Sequence, residues 1–522
     1  MRINLLALLL VLSVSYLEAQ SFYDTDVANE LVGENTFIDR TIDSSQPPAF
    51  DKIKSLLPKP YWDNQSEAIR CYWDTWEIAF SNLRGVSEAS GFVSPYIDPA
   101  FNGSIFMWDC SFMTMFGKYG SKTFDFQGTL NNFYSKQHKD GFICREIRGS
   151  DGSDVFAKFD VSSTGPNIMP WSEWEYYLNT GDKERLNKVF PVLLAYYQWY
   201  QTYRSWPDGS YYSSGWGSGM DNQHRMHEQY NQEWSHGFMS WIDITFQEIL
   251  SGNILIMMAE ALDKEDLVQQ IKSDVLFLKS FVNKNMWSEK ENFYFDRYRD
   301  GSLSDVKSIA SFWALLADAV PEDRIDGFVH HLADTTEFNR KHRVPTLSAS
   351  DKNFDPEGGY WNGSIWAPTN YMVLRGLTNY QLDDLAFEIG LNHLQNVVEV
   401  FHQTNDLREN YAPDFTKGND KHKFVGWTGL APISVMFEYV FGFRPDVPNK
   451  TLLIDVNLTD GYGVEQYPFG KDGLINIACK KRKNIMQRPK VTIESNISMN
   501  VVVKWAGGTF TESIKPGKNT LK

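Results

Sequence analysis

Two acidic side chains sit in segments suited to chemistry: Asp221, within Ser214-Gly-Trp-Gly-Ser-Gly-Met-Asp-Asn-Gln-His-Arg225, and Glu409, within Glu409-Asn-Tyr-Ala-Pro413. A glycine-rich loop lets backbone approach a ligand closely, while Trp216 offers a stacking face and Arg225 a polar contact. Singly, each carboxyl has an ordinary explanation, since an Asp-Asn pair commonly makes a turn or cap and a Glu ahead of a proline is commonly a cap or surface group. Facing each other across one cavity, they would supply a carboxylic acid to protonate a leaving oxygen and a carboxylate to activate water. Hydrolysis of a glycosidic bond by inversion needs both, with the carboxyl groups about 6.5–9.5 Å apart.

Three more polar, aromatic or glycine-rich segments accompany them: Met107-Trp-Asp-Cys110, Asp140-Gly-Phe-Ile-Cys-Arg-Glu146 and Gly358-Gly-Tyr-Trp-Asn-Gly-Ser-Ile-Trp366. Hydrophobic periodicity predicts twelve helices, centred on 68–83, 106–119, 123–137, 168–179, 183–203, 242–262, 264–282, 308–319, 323–332, 364–377, 382–402 and 428–441. Odd members carry charge on one face and an apolar stripe on the other. Several even ones are nearly free of Lys and Glu and need burial on most sides. Alternation of exposed and buried helices describes an (α/α)6 toroid, a mainly α fold. In that frame all five segments fall between an odd helix and the following even one, on one rim. Asp140 and Glu146 bracket a loop bordering the funnel and divide evenly between ligand contact and loop-holding. Asp74, Glu77, Glu173 and Glu175 lie on helices, where ion pairs and hydrogen bonds are the commoner use.

Past Arg444-Pro445 the composition turns to short β-type runs such as Leu452-Leu-Ile-Asp-Val456 and Val501-Val-Val-Lys-Trp505, split by Gly, Asn and Pro. The expected organisation is a signal peptide at 1–19, a leader at 20–59, a catalytic domain at 60–445 and a small β-sandwich-like module at 446–522. The signal reading rests on Arg2, the apolar run Leu5 to Val14 and the small residue Ala19, a core too brief to span a membrane. It implies a secreted or periplasmic protein without a membrane anchor. A net charge of -16 argues against a nucleic-acid partner. With 15% aromatic residues, including 17 Trp, a carbohydrate is the fitting ligand. The four cysteines, Cys71, Cys110, Cys144 and Cys479, exclude a disulfide scaffold and leave room for one bridge. No cofactor or metal is implied, and the acids between Asp296 and Asp305 lack regular calcium-loop spacing.

Over about Leu57 to Pro445 the chain resembles the (α/α)6 catalytic domain of glycoside hydrolase family sixty-three, with the trehalases and the mannosylglycerate and glucosylglycerate hydrolases. The most specific pieces are Ser218-Gly-Met-Asp-Asn-Gln-His-Arg225, Gly359-Tyr-Trp-Asn-Gly-Ser-Ile-Trp366 and Trp427-Thr-Gly429. The resemblance implies Asp221 as general acid and Glu409 as general base, with Trp108 and Asp109 binding the sugar before the cut and Trp361, Asn362 and Trp427 lining the pocket. Gln223-His224 and Asn362 depart from the usual pattern at positions expected to face the sugar, with His224 a polar wall residue. The expected activity is a secreted, exo-acting, inverting α-glucosidase on oligosaccharides or glucosyl conjugates. A polysaccharide lyase would prefer a Tyr or His base with cations for a uronate. A non-catalytic glycan-binding protein would have no need of both carboxylates.

Overall fold

The structure, a computed structural model, describes residues 27–521. The expected signal peptide lies outside the described residues. Among the described residues a helix stands at each of the twelve expected places. Lys183–Tyr203 and Ile242–Leu262 have the expected bounds, and Ser66–Ser81, Met107–Gly117, Met169–Thr180, Gln269–Asn285, Ala367–Asn379 and Asp383–Thr404 differ by a few residues. Three are not single regular helices. The segment around residue 312 is a 3-10 turn, Ile309–Phe312, running into the single α turn Trp313–Leu316. Near residue 325 a 3-10 turn precedes Ile325–His330, and the last helix is a 3-10 turn, Trp427–Leu430, followed by a π-helix, Ala431–Val440.

Burial follows composition. Every residue of Met107–Gly117, Trp313–Leu316 and Ala431–Val440 is buried. By contrast Gln269–Asn285 buries only Ile271, Val275, Leu278 and Val282, a single stripe at helical spacing. Ile242–Leu262 is long and apolar enough to cross a membrane, but 83% of its most apolar window is buried inside the protein. The helices Met107–Gly117, Met169–Thr180, Ile242–Leu262, Trp313–Leu316, Ala367–Asn379 and Ala431–Val440 each contact the next, and the last contacts the first. The charged helices pack outside them, as Asp383–Thr404 does on Ala367–Asn379 and Ala431–Val440. Gly128–Tyr134 is fully buried because the preceding chain covers it: Asn35 donates to the Tyr134 carbonyl at 2.9 Å, and the Phe37 ring centroid lies 5.3 Å from that of Tyr134.

Strands dominate after residue 443. An antiparallel five-stranded sheet runs Lys59–Trp62, Tyr462–Phe469, Gly473–Cys479, Val491–Ser495, Gly517–Thr520. A four-stranded sheet runs Phe443–Asp446, Thr451–Asp455, Met499–Trp505, Gly508–Ile514, with its central pair parallel. Alternating burial, as in Gly473–Cys479 and Val491–Ser495, gives each strand an apolar face. Lys59–Trp62 joins the C-terminal sheet from the far end of the chain, where Pro60 is tolerated because the strand is an edge. All four cysteines are free and buried, so the one bridge for which the sequence leaves room does not form.

Candidate functional site

A cavity of about 360 Å³ opens where the inner helices begin. Its first wall is the entry to Met107–Gly117, which places Trp108 and Asp109 in the first turn. The preceding strand Ser104–Phe106 pairs with Glu146–Arg148, and the Met107 amide donates to the Arg145 carbonyl at 2.8 Å. This lacing sets Arg145 and Glu146 on the wall beside Trp108 and Asp109. Arg145 donates through Nε to the Ser162 carbonyl at 2.7 Å, and its guanidinium carbon sits 4.5 Å from the Phe156 ring centroid and 5.5 Å from that of Trp216. Glu146 accepts from Asn102 at 3.2 Å. Trp108 Nε1 and Asp109 Oδ1 are buried without a hydrogen-bond partner among the described residues. They are a donor and an acceptor ready for a ligand's hydroxyl groups.

The second wall is the loop carrying Asp221. Ser214 caps one helical turn, Gly215–Ser218, by accepting from the Gly217 amide, and Gly219 ends it in the left-handed conformation at φ 76°. A Cβ at Gly215 would lie 2.2 Å from the Asp221 carbonyl oxygen and 2.4 Å from that of Gln232, so only glycine permits this loop to close. Asn222 then clasps the neighbouring segment. Its Oδ1 accepts from the Trp361 amide at 3.0 Å, its Nδ2 donates to the Gly359 carbonyl at 3.2 Å, and its carbonyl accepts from Asn362 Nδ2 at 3.0 Å. Gln223 Nε2 reaches the carbonyls of Thr346 and Trp361 at 2.9 and 3.0 Å. The loops bearing Asp221 and Trp361 are thus joined as one piece.

The third wall holds Tyr360, Trp361 and Trp427. Trp361 stacks on Trp366 with centroids 3.9 Å apart and planes 3° from parallel. Trp427 donates from Nε1 to the Glu409 carbonyl at 2.9 Å. Glu409, on strand Arg408–Tyr411, is buried and does not itself line the cavity. Its carboxylate accepts from the Tyr360 hydroxyl at 3.3 Å and the Lys421 amide at 3.4 Å, so Tyr360 links it to the cavity.

Carboxyls in this place are hard to ionise. Burial pushes Asp221 up to about 6; the nearby charge of Glu233 adds to this and Arg145 opposes it. Burial likewise pushes Glu409 up to about 7, with Asp420 adding while the Lys421 amide and Tyr360 hydroxyl pull down. Asp109 is held well above the ordinary carboxyl range by burial, then by the charges of Glu409 and Asp221. Asp221 and Glu409 are thereby brought toward neutrality, where a carboxyl can both give and take a proton, between aromatic walls.

Trp108, Asp109, Trp216, Asp221, Trp361 and Trp427 come together on the cavity wall. Arg225 does not join them. Its guanidinium is 1% exposed and filled by Asp243 and Asp296, with bonds of 2.7 and 3.0 Å to the first and 2.9 and 2.7 Å to the second. This pairing also occupies Asp296, the first of the acids between Asp296 and Asp305, and among the described residues no group of three or more His, Cys, Asp or Glu is arranged to hold a metal. Asn362 and Gln223 turn into the protein rather than toward a sugar, Asn362 Oδ1 accepting from the His224 amide at 3.0 Å. His224 is exposed outside the cavity. Of the evenly divided pair, Glu146 lines the cavity, while Asp140 holds its loop through Lys158 and Trp199, both at 3.0 Å. Sequence reasoning passed over Arg145, Tyr360 and Asn222 although each lies inside a segment it singled out. An arginine between cysteine and glutamate and a tyrosine before a tryptophan were the available signals.

Comparison with known proteins bears on the family and the fold. The model of the mannosylglycerate hydrolase MGH1-like glycoside hydrolase domain matches residues 120–428. An uncharacterized protein of Borreliella burgdorferi is 25% identical over 378 residues, covering 70% of this chain and 77% of that one. A probable mannosyl-oligosaccharide glucosidase of Schizosaccharomyces pombe is 23% identical over 345 residues, 60% of this chain and 39% of its own length, so this chain spans well under half of that relative. Among solved structures, the GH63 mannosylglycerate hydrolase from Thermus thermophilus in complex with glucose superposes with a TM-score of 0.57 at 18% identity, covering 69% of this chain and 98% of that one. At that identity the likeness speaks for the fold.

Proposed function

The chain belongs to the mannosylglycerate hydrolase MGH1-like glycoside hydrolase family, and from that premise we propose that it is a secreted or periplasmic, exo-acting, inverting α-glucosidase on oligosaccharides or glucosyl conjugates. Asp221, protonated, donates to the glycosidic oxygen as the bond from the anomeric carbon breaks. Glu409 takes a proton from the water whose oxygen forms the new bond on the opposite face. Trp108 Nε1 and Asp109 Oδ1 hold hydroxyl groups of the ring before the cut, with Trp361 and Trp427 closing around it. Trp216 is assigned to the leaving-group side.

The observation that carries this reading is one small cavity lined by Asp221 and Tyr360, with Glu409 directly behind Tyr360 at 3.3 Å from its hydroxyl and both carboxyls pushed up by burial. A single arginine, Arg145, among several carboxylates on the wall disfavours a uronate-cleaving lyase. The closed succession of six inner helices supports an (α/α)6 toroid for 60–445, with 446–522 as an accessory β module and 20–59 as a leader. Export rests on the sequence pattern of residues 1–19. The deciding experiment follows the anomer released from an α-linked glucoside by NMR. The β-anomer is expected, and the α-anomer would overturn inversion. Ultraviolet absorbance from an unsaturated product would overturn hydrolysis itself.

A further inference from the structure

The cavity does not end at Trp216. Trp234 lies against it with ring centroids 3.9 Å apart and planes tilted by 40°, yet remains 44% exposed, so an aromatic surface continues from the wall to solvent. This surface is built rather than incidental. Asn231 Oδ1 accepts from the amides of Glu233 and Trp234, both at 2.9 Å, which fixes the turn presenting Trp234. The Gly215 and Trp216 amides donate to the Gln232 and Glu233 carbonyls at 3.1 Å each, tying that turn to the loop that carries Asp221. Glu233, half-buried and next to Trp234 in the chain, lies close enough for its charge to act on Asp221, and its carboxylate has no hydrogen bond among the described residues.

An exposed indole face with an adjacent free carboxylate matches what a pyranose presents, an apolar C–H face edged by hydroxyl donors. It does not match a small anion. With Asp221 and Asp109 carrying their protons, Glu146 and Glu233 against Arg145 still leave the region net negative, and an acidic leaving group would be repelled. We propose that Trp234 and Glu233, mounted on Trp216, form a leaving-group-side sugar platform, so that the enzyme takes glycosides whose leaving group is an uncharged sugar ring in preference to a small acidic one. This rests on the glycosidase reading above and narrows its substrate class.

The test compares kcat/KM of the full-length mature protein on a panel of α-linked glucose disaccharides, on α-glucosyl fluoride, whose leaving group has no ring to stack, and on α-glucosylglycerate, whose leaving group is acidic. A disaccharide should be preferred to the glycerate conjugate. In Trp234→Ala the ratio of disaccharide to fluoride kcat/KM should fall about tenfold, while Trp234→Tyr, which keeps an aromatic face, should hold it within about twofold. Because the fluoride is read on the same variant, loss of folded protein cancels. An unchanged ratio in Trp234→Ala, or preference for the glycerate conjugate, overturns the platform while leaving the α-glucosidase reading standing. Wild-type protein inactive on both fluoride and disaccharides overturns that reading and the platform with it.

Discussion

Two sets of buried acids lie at opposite ends of the inner helices and end in opposite states. Where those helices begin, Asp109 and Asp221 have Arg145 as a nearby cation and Glu409 has Lys421, with no ion pair among the described residues, and all three sit at raised pKa values. Toward the other end, about 13 Å along Met107–Gly117 by its rise per residue, Lys118 donates to Glu175 and pairs with Glu438, both at 3.0 Å. Arg375 also pairs with Glu175, and Tyr119 and Tyr371 each donate to Glu438 at 2.7 Å. Burial alone would push Glu175 up, yet Arg375 and Lys118 overcome it and bring it down to about 2. Burial is therefore common to both sets, and counter-charge is what separates them. One set ties four helices together and stays ionised. The other is left unpaired, which is costly for stability and useful for proton transfer.

The largest expected effect comes from removing the unpaired acid. Asp221→Asn should lower kcat on an α-glucoside by on the order of 10³-fold, measured by glucose release, while the urea midpoint at pH 7 stays level or rises. Comparable activity in this variant would end the role of Asp221 as acid. At the paired end the sign reverses. Lys118→Met leaves two buried carboxylates facing Arg375 alone and should destabilise by about 3–5 kcal/mol in urea unfolding. Adding Glu438→Gln to Lys118→Met should recover part of that loss. A neutral Lys118→Met variant would show that the pairing is not what distinguishes the two ends.

The pH dependence follows from the same contrast. Catalysis needs Asp221 protonated and Glu409 ionised, so kcat/KM should be bell-shaped with limbs near 6 and 7, falling below as the base takes a proton and above as the acid loses one. The limbs belong to the interacting pair rather than to either residue. Stability should respond in two windows. A carboxyl with a raised folded pKa favours the fold below its unfolded value near 4 and loses that contribution as pH rises through about 6 for Asp221 and about 7 for Glu409. Glu175, held near 2, contributes above its unfolded value and loses the contribution as pH falls toward 2. Urea midpoints should accordingly decline from pH 4 to pH 7 less steeply in Asp221→Asn than in the wild type.

How much of this was written in the sequence depends on the range of the interaction. Lys183–Tyr203 was legible at its start because Asp182 caps the helix through the Arg185 amide three residues on, a local event. The stripe of Gln269–Asn285 is equally local. The segments around Asp221 and Trp361 were legible through their glycines and aromatics, and the cavity gathers both. Arg225 looked like a ligand contact because Asp296, one of its two partners, lies 71 residues away, and nothing near Arg225 announces it. Asn362 was misread for the same reason, since its partners Asn222 and His224 belong to another loop. The edge strand Lys59–Trp62 carries a proline and no alternation to mark it, and its partner strand begins at Tyr462. Glu409 stands in a segment that the sequence singles out, but its seat behind Tyr360 comes from packing alone.

That seat gives the finest probe of the comparison. The Tyr360 hydroxyl is one of two donors to the Glu409 carboxylate and helps keep its pKa from rising further with burial. Tyr360→Phe removes the donor and preserves the ring. Glu409 should then bind its proton more tightly, and because the optimum lies midway between acid and base, it should move up from about 6.5 by roughly half the change in the base. The height of the bell should drop severalfold, since less of the enzyme carries an ionised base beside a protonated acid. KM should change less than kcat, because the aromatic wall remains. A pH–rate profile of Tyr360→Phe against wild type reads all three quantities. An optimum that stays in place with kcat unchanged would mean that the unpaired end needs no hydrogen bond to hold its base, and that burial alone sets it.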